Sequence, residues 1–144
     1  MQLFTTGYEG ETIDQWISKL KLAGVTVLVD IRERALSRKK GFSKTALKEH
    51  LEGNNIRYIH LKNLGSPSEI RKQLMESKDY PTFFEKYNEY LENQKDTLEL
   101  LVHELKEEKP CLMCFEKNHR QCHRHAVVKR LEEIYPEKVR VEHL

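Results

Sequence analysis

The segment Val25-Thr26-Val27-Leu28-Val29-Asp30-Ile31 constrains the fold more than any other stretch of this chain. It is rich in β-branched residues and almost wholly apolar, so it reads as a strand covered on both faces. Such a strand belongs inside a parallel sheet layered by helices, and the flanking sequence supplies them. Thr12 followed by Gln15 is a capping-box signature, after which Ile13, Trp16, Ile17 and Leu20 recur at helical spacing until Gly24. Further strands are expected at residues 3–5, 56–60, 111–115 and 138–142. Helices are expected after Ser43, over 81–93, over 97–108 and near 122–134, and Pro67 suits the first position of another. The expectation is an α/β fold: one three-layer domain over residues 1–144, with a mainly parallel sheet of about five strands flanked by helices.

Charge is segregated along this framework. Residues 32–48 hold seven Lys/Arg (Arg32, Arg34, Arg38, Lys39, Lys40, Lys44, Lys48) against one acid, Glu33, and residues 117–130 hold five against none. These stretches carry +6 and +5 in a chain of net charge +2, so the remainder is acidic. Two such clusters create local fields that attract phosphates or other anions. In parallel α/β sheets ligands bind beyond the carboxyl ends of the strands. Asp30 and Arg32 fall at one such end, His60 at the next, and Cys114 with Glu116 at a third. Both basic clusters also begin there, so distant residues are expected to meet on one rim.

The run from Cys114 to Arg124, Cys-Phe-Glu-Lys-Asn-His-Arg-Gln-Cys-His-Arg, reads as a strand end, a polar loop and a basic helix start. Free N–H groups at a helix start favour an anion, and arginine grips phosphate in bidentate fashion. A cysteine in that field gains nucleophilicity, whereas a free cysteine elsewhere is commonly a small apolar filler. Cys114 to Arg120 has the Cys-x5-Arg spacing of cysteine phosphatases, and Asp30-Ile31-Arg32 has a rhodanese look. Residues 115–119, however, lack the glycines that help such a loop turn its N–H groups inward. Zinc is a further alternative through Cys111, Cys114, Cys122 and His123. Against it, strand residues three apart face opposite ways, and adjacent Cys122 and His123 rarely close one tetrahedron. Neither metal nor cofactor is expected. All three cysteines lie within one short stretch rather than spread as a disulfide framework, so thiols in a reducing cytosol are expected.

Several motifs together resemble the domain-of-unknown-function 488 family over nearly the whole chain. They are Thr6-Gly7-Tyr8-Glu9-Gly10, Asp30-Ile31-Arg32 with Ser37-Arg38 and Phe42, Tyr58-Ile59-His60, Leu64-Gly65-Ser66-Pro67, Cys114-Phe115-Glu116 and Cys122-His123-Arg124. Ala35 stands where the family usually has proline. The resemblance implies a compact α/β fold and no established reaction. Tyr8, Asp30, Arg32, Ser37, Arg38, His60 and Arg124 are accordingly candidate ligand-binding residues. Cys114, Glu116, Cys122 and His123 are candidates for catalysis. Gly7 and Gly65 supply backbone conformations, and Phe42, Tyr58 and Trp16 belong to the core.

The expected activity is binding of a phosphate-containing small molecule, nucleotide or nucleic-acid end, with or without cysteine chemistry. The alternative is a non-catalytic nucleic-acid module whose basic loop touches phosphates while Phe42 stacks on a base. A redox protein using Cys114 and Cys122 is the lesser alternative. No basic-then-apolar leader opens the sequence and no apolar run reaches spanning length, so a cytoplasmic protein away from the membrane is expected.

Overall fold

The computed structural model describes residues 1–144. One sheet runs through the molecule, built from β1 (Gln2–Gly7), β2 (Val27–Asp30), β3 (Arg57–His60), β4 (Pro110–Cys114) and β5 (Arg140–His143), in the spatial order β3-β2-β4-β1-β5. Every pairing is parallel. The helices are α1 (Ile13–Ala23), α2 (Lys44–Glu52), α3 (Ser68–Ser77), α4 (Tyr80–Glu92), α5 (Lys95–Leu105) and α6 (Arg124–Ile134). The architecture is the three-layer α/β arrangement that the buried Val-rich strand demanded. No helix is long and apolar enough to cross a membrane.

Strand alternation sorts the core into two halves. Phe4, Leu28, Cys111 and Met113 point to one face, where Trp16 and Leu20 of α1 and Leu47 and Leu51 of α2 close over them. Leu3, Val27, Val29 and Leu112 point to the other, against Tyr87 and Leu91 of α4, Leu98 and Leu101 of α5, and Val127 and Leu131 of α6. Thr12 caps α1 in the expected box, and Gly24 ends that helix in the left-handed conformation (φ 82°).

Three details depart from the sequence reading. α3 buries no residue completely, so its apolar periodicity is weak and only its start at Pro67 was legible; Pro67 is the cap rather than the first helical residue. Ser43 precedes α2 without capping it, because its hydroxyl donates to the Ser37 carbonyl and accepts from the Ser37 N–H instead (both 3.0 Å). The last helix starts at Arg124, two residues late, after a short 3-10 turn at His119–Gln121.

Leu112 sits at the centre of the sheet with no exposure, so Leu112→Ala is expected to cost about 2–5 kcal/mol of unfolding free energy in urea. Leu22 is 92% exposed on α1, and Leu22→Ala is expected to change stability by less than about 0.5 kcal/mol.

Candidate functional site

The order β3-β2-β4-β1-β5 makes β2 and β1 the neighbours of β4. β1 and β2 lead into α1 and α2 on one face, whereas β4 leads into α6 on the other. The connections therefore part at the carboxyl end of β4, which is where open α/β sheets leave a ligand crevice. A cavity of about 390 Å³ lies there. Tyr8 comes to it from β1, residues of the Arg32–Ser37 loop from β2, Ser66 and Arg71 from the β3–α3 region, Cys114, Phe115 and Glu116 from β4, and His123 from the start of α6. Its size suits a small molecule.

The wall on the β2 side is an ion pair taken out of water. Asp30 is wholly buried and accepts from Arg32 through Nε (2.9 Å), Nη2 (2.8 Å) and the backbone N–H (3.1 Å). Tyr58 donates to the same carboxylate (2.6 Å), and Arg32 Nη1 donates to the Tyr8 hydroxyl (3.1 Å). Burial works against the Arg32 charge, but the paired carboxylate more than offsets it and holds the guanidinium charged above its usual range. Burial, reinforced by Asp30, pushes the Tyr58 hydroxyl up, so it stays a donor. His60 donates through Nε2 to the Arg32 carbonyl (2.7 Å), fixing the loop from the β3 side.

The opposite wall hangs on Arg124, whose side chain is 1% exposed. It donates to Thr5 Oγ1 (3.3 Å), Cys114 Sγ (2.9 Å), the Glu116 carbonyl and the Lys117 carbonyl (3.0 Å). Burial lowers its pKa to about 10, which leaves it charged at neutral pH. The loop it anchors passes so close to β1 that a β-carbon on Gly7 would overlap the Glu116 carbonyl. Gly65 is likewise packed on the backbone of Glu33. Both glycines serve close approach of two backbones; Gly65, with φ −68°, needs no glycine-only conformation. Burial raises the pKa of the Glu116 carboxyl.

Cys114 and Cys122 are joined sulfur to sulfur, and Cys111 alone is free. The expectation of three thiols is corrected accordingly: the 3-10 turn folds the loop back so that positions eight apart meet. His123 Nε2 lies 2.6 Å from the Ile31 carbonyl. Since a carbonyl only accepts, Nε2 carries the proton and Nδ1 is left with a lone pair, 3.7 Å from Cys122 Sγ. Burial lowers the His123 pKa to about 4.

Of the residues anticipated from sequence, Tyr8, Arg32, Ser37, Cys114, Glu116 and His123 line the cavity. Asp30, His60, Cys122 and Arg124 stand behind it and hold its walls, and Arg38 is exposed and does not line it. Phe42 is unexposed, stacked 4.3 Å from Tyr8, so it belongs to the core and offers no face to a base. The helix-start donors are also taken. The N–H groups of Arg124, His125 and Ala126 donate to Cys122 Sγ, the Cys122 carbonyl and the His123 carbonyl. The cavity instead carries two arginines that were not singled out. Arg34 is exposed at its edge, and Arg71 on α3 reaches the Ser66 carbonyl (3.1 Å) and pairs with Glu33 (3.5 Å). Arg34 was legible only as one member of the basic run; Arg71 had no signal beyond its charge.

The family model described as "Domain of unknown function DUF488" matches residues 12–131. The chain belongs to the DUF488 family. No curated protein and no solved structure matches it. In this DUF488 chain the motifs quoted from the sequence converge from four strand ends on one cavity or on the groups that brace it.

Asp30→Asn strands the Arg32 charge in the interior. Urea unfolding is expected to show a loss of about 3–5 kcal/mol, much of it recovered in the Asp30→Asn/Arg32→Met double variant. A loss below about 1 kcal/mol would mean that the pair does not support the wall.

Proposed function

We propose that this DUF488 protein binds an anionic, phosphate-bearing small molecule or nucleic-acid end in the cavity at the carboxyl end of β4. The observation that supports it is the convergence of Arg32, Arg34 and Arg71 on one small-molecule-sized space. Arg32 is held rigid by Asp30, so it contributes a fixed field rather than a flexible grip. Arg34 and Arg71 are the movable forks suited to phosphate oxygens. Glu33 already binds Arg71 and the backbone N–H of Ser68, so an incoming anion competes with a carboxylate for the same guanidinium. Ser37 and Ser66 add neutral polar lining.

Catalysis through Cys114 requires a free thiolate, which the Cys114–Cys122 bond removes. Binding is therefore the activity we propose, and cysteine chemistry would belong only to the reduced protein. A nucleic-acid module remains the second reading because Arg120, His125 and Lys129 line another recess of about 590 Å³ beside the second basic cluster. Salt separates the two: contacts along a phosphate backbone lose affinity steeply as salt rises, while a single enclosed phosphate loses little.

Calorimetric titration with inorganic pyrophosphate is the direct test. Arg34→Ala and Arg71→Ala are each expected to weaken binding about tenfold or more, and Arg38→Ala to leave it within about twofold. Equal affinity in all three variants would remove the cavity from consideration.

A further inference from the structure

We infer that Cys114, Cys122 and His123, once the two sulfurs are reduced, form a three-ligand site for a thiophilic divalent cation such as Zn²⁺, with its open coordination position facing the cavity. The two Sγ atoms and the imidazole nitrogen all lie within 4.8 Å of one another, and all three residues are buried. Corners of a tetrahedron with metal–ligand bonds of about 2.0–2.3 Å stand roughly 3.3–3.8 Å apart. The 3.7 Å between His123 Nδ1 and Cys122 Sγ already has that spacing.

The histidine is prepared for ligation. Its Nε2–H is committed to the Ile31 carbonyl, which fixes the tautomer and aims the unprotonated Nδ1 at the sulfurs. A backbone carbonyl on the far ring nitrogen is the usual support behind a metal-binding histidine. Tyr87 packs edge-on against the same ring, with 5.4 Å between centroids. Arg124 Nη1 lies 2.9 Å from Cys114 Sγ and holds that sulfur in place.

Of the two objections raised by the sequence, the backbone answers the one about adjacent Cys122 and His123, and the one about Cys111 holds. Cys122 is extended (φ −134°, ψ 146°) and His123 turns into the helix (φ −59°, ψ −19°), so the adjacent side chains converge instead of diverging. Cys111 is excluded, since it sits in the core half that holds Trp16 and Leu28. Three ligands rather than four is the pattern of sites that keep a position for water or substrate. Cys114 and His123 both line the cavity, so that position opens onto it.

Loading needs a reductant. A dithiol, or a phosphine with water in the test tube, transfers two electrons to the Cys114–Cys122 bond, which breaks to give two thiols. The dithiol closes to its own disulfide, or the phosphine takes the water oxygen to become its oxide and the two water protons go to the sulfurs. The divalent cation then binds both sulfurs as thiolates and releases two protons.

The test uses the full chain reduced with a phosphine, desalted without oxygen and titrated with Co²⁺ in the absence of any phosphate ligand. One cobalt per chain is expected, with a thiolate-to-cobalt charge-transfer band and the intense visible bands of a tetrahedral ion, both lost when Zn²⁺ displaces it. Cys122→Ser and His123→Ala are expected to bind at least about a hundredfold more weakly, a loss exceeding that of an outer-shell partner. Cys111→Ser should bind as the wild type does, and the oxidised wild type, folded by circular dichroism, should not bind. Reduced wild-type protein without the charge-transfer band would overturn the inference, and so would undiminished uptake by folded Cys122→Ser or His123→Ala. Pyrophosphate binding by the metal-free protein is read separately, so the anion reading stands or falls on its own.

Discussion

Arg124 brings a guanidinium into the interior at the first residue of α6 and distributes it over β1, β4 and the loop that follows β4. Removing such a group from water costs several kcal/mol, and the arrangement holds only because each guanidinium nitrogen finds an acceptor. No buried side-chain nitrogen or oxygen lacks a partner anywhere in the protein. The same device recurs around the rim. The Ile31, Arg32, Glu116 and Lys117 carbonyls lie just past the strands, and side chains take them: His123, His60 and, for the last two, Arg124. Loops that leave a sheet lose the ladder that satisfied their backbone, and here charged and imidazole groups replace it from inside. The outward side of the rim is then free to carry Arg34, Ser37 and Arg71.

This division explains why the sequence revealed the fold better than the site. Val27, Leu28 and Val29 announce a strand buried on both faces, and Trp16 and Leu20 announce the helix that covers one of them, because periodicity is a direct readout of burial. α3 was legible only at its start, because a helix that buries nothing completely has little periodicity to read. At the site, residue type alone could not separate an arginine that grips a ligand from one that braces a wall. Arg124 and Arg71 look equivalent as letters. One has a neighbourhood of carbonyls and the other the edge of a cavity, and only long-range pairing decides which. The glycines were legible as special but not for the right cause: Gly7 and Gly65 are demanded by backbones from distant segments.

The rim also joins two chemistries that the sequence kept apart. Guanidinium groups lie over the β2 and α3 side of the cavity, where the proposed anion would bind, while sulfur and imidazole donors gather on the β4 and α6 side. A cation held by those donors would face the same space as the arginines. Arg124 links the halves, since it touches Cys114 and fixes the Glu116–Lys117 loop above it.

The central claim is the position of the anion, and a crystal structure of the protein grown in phosphate tests it most directly. The account predicts a phosphate in the cavity, within hydrogen-bond distance of Arg34 and Arg71 and close to Arg32. A phosphate seated instead on the start of α6 or among Arg120 and Lys129, with the cavity holding only water, would contradict it.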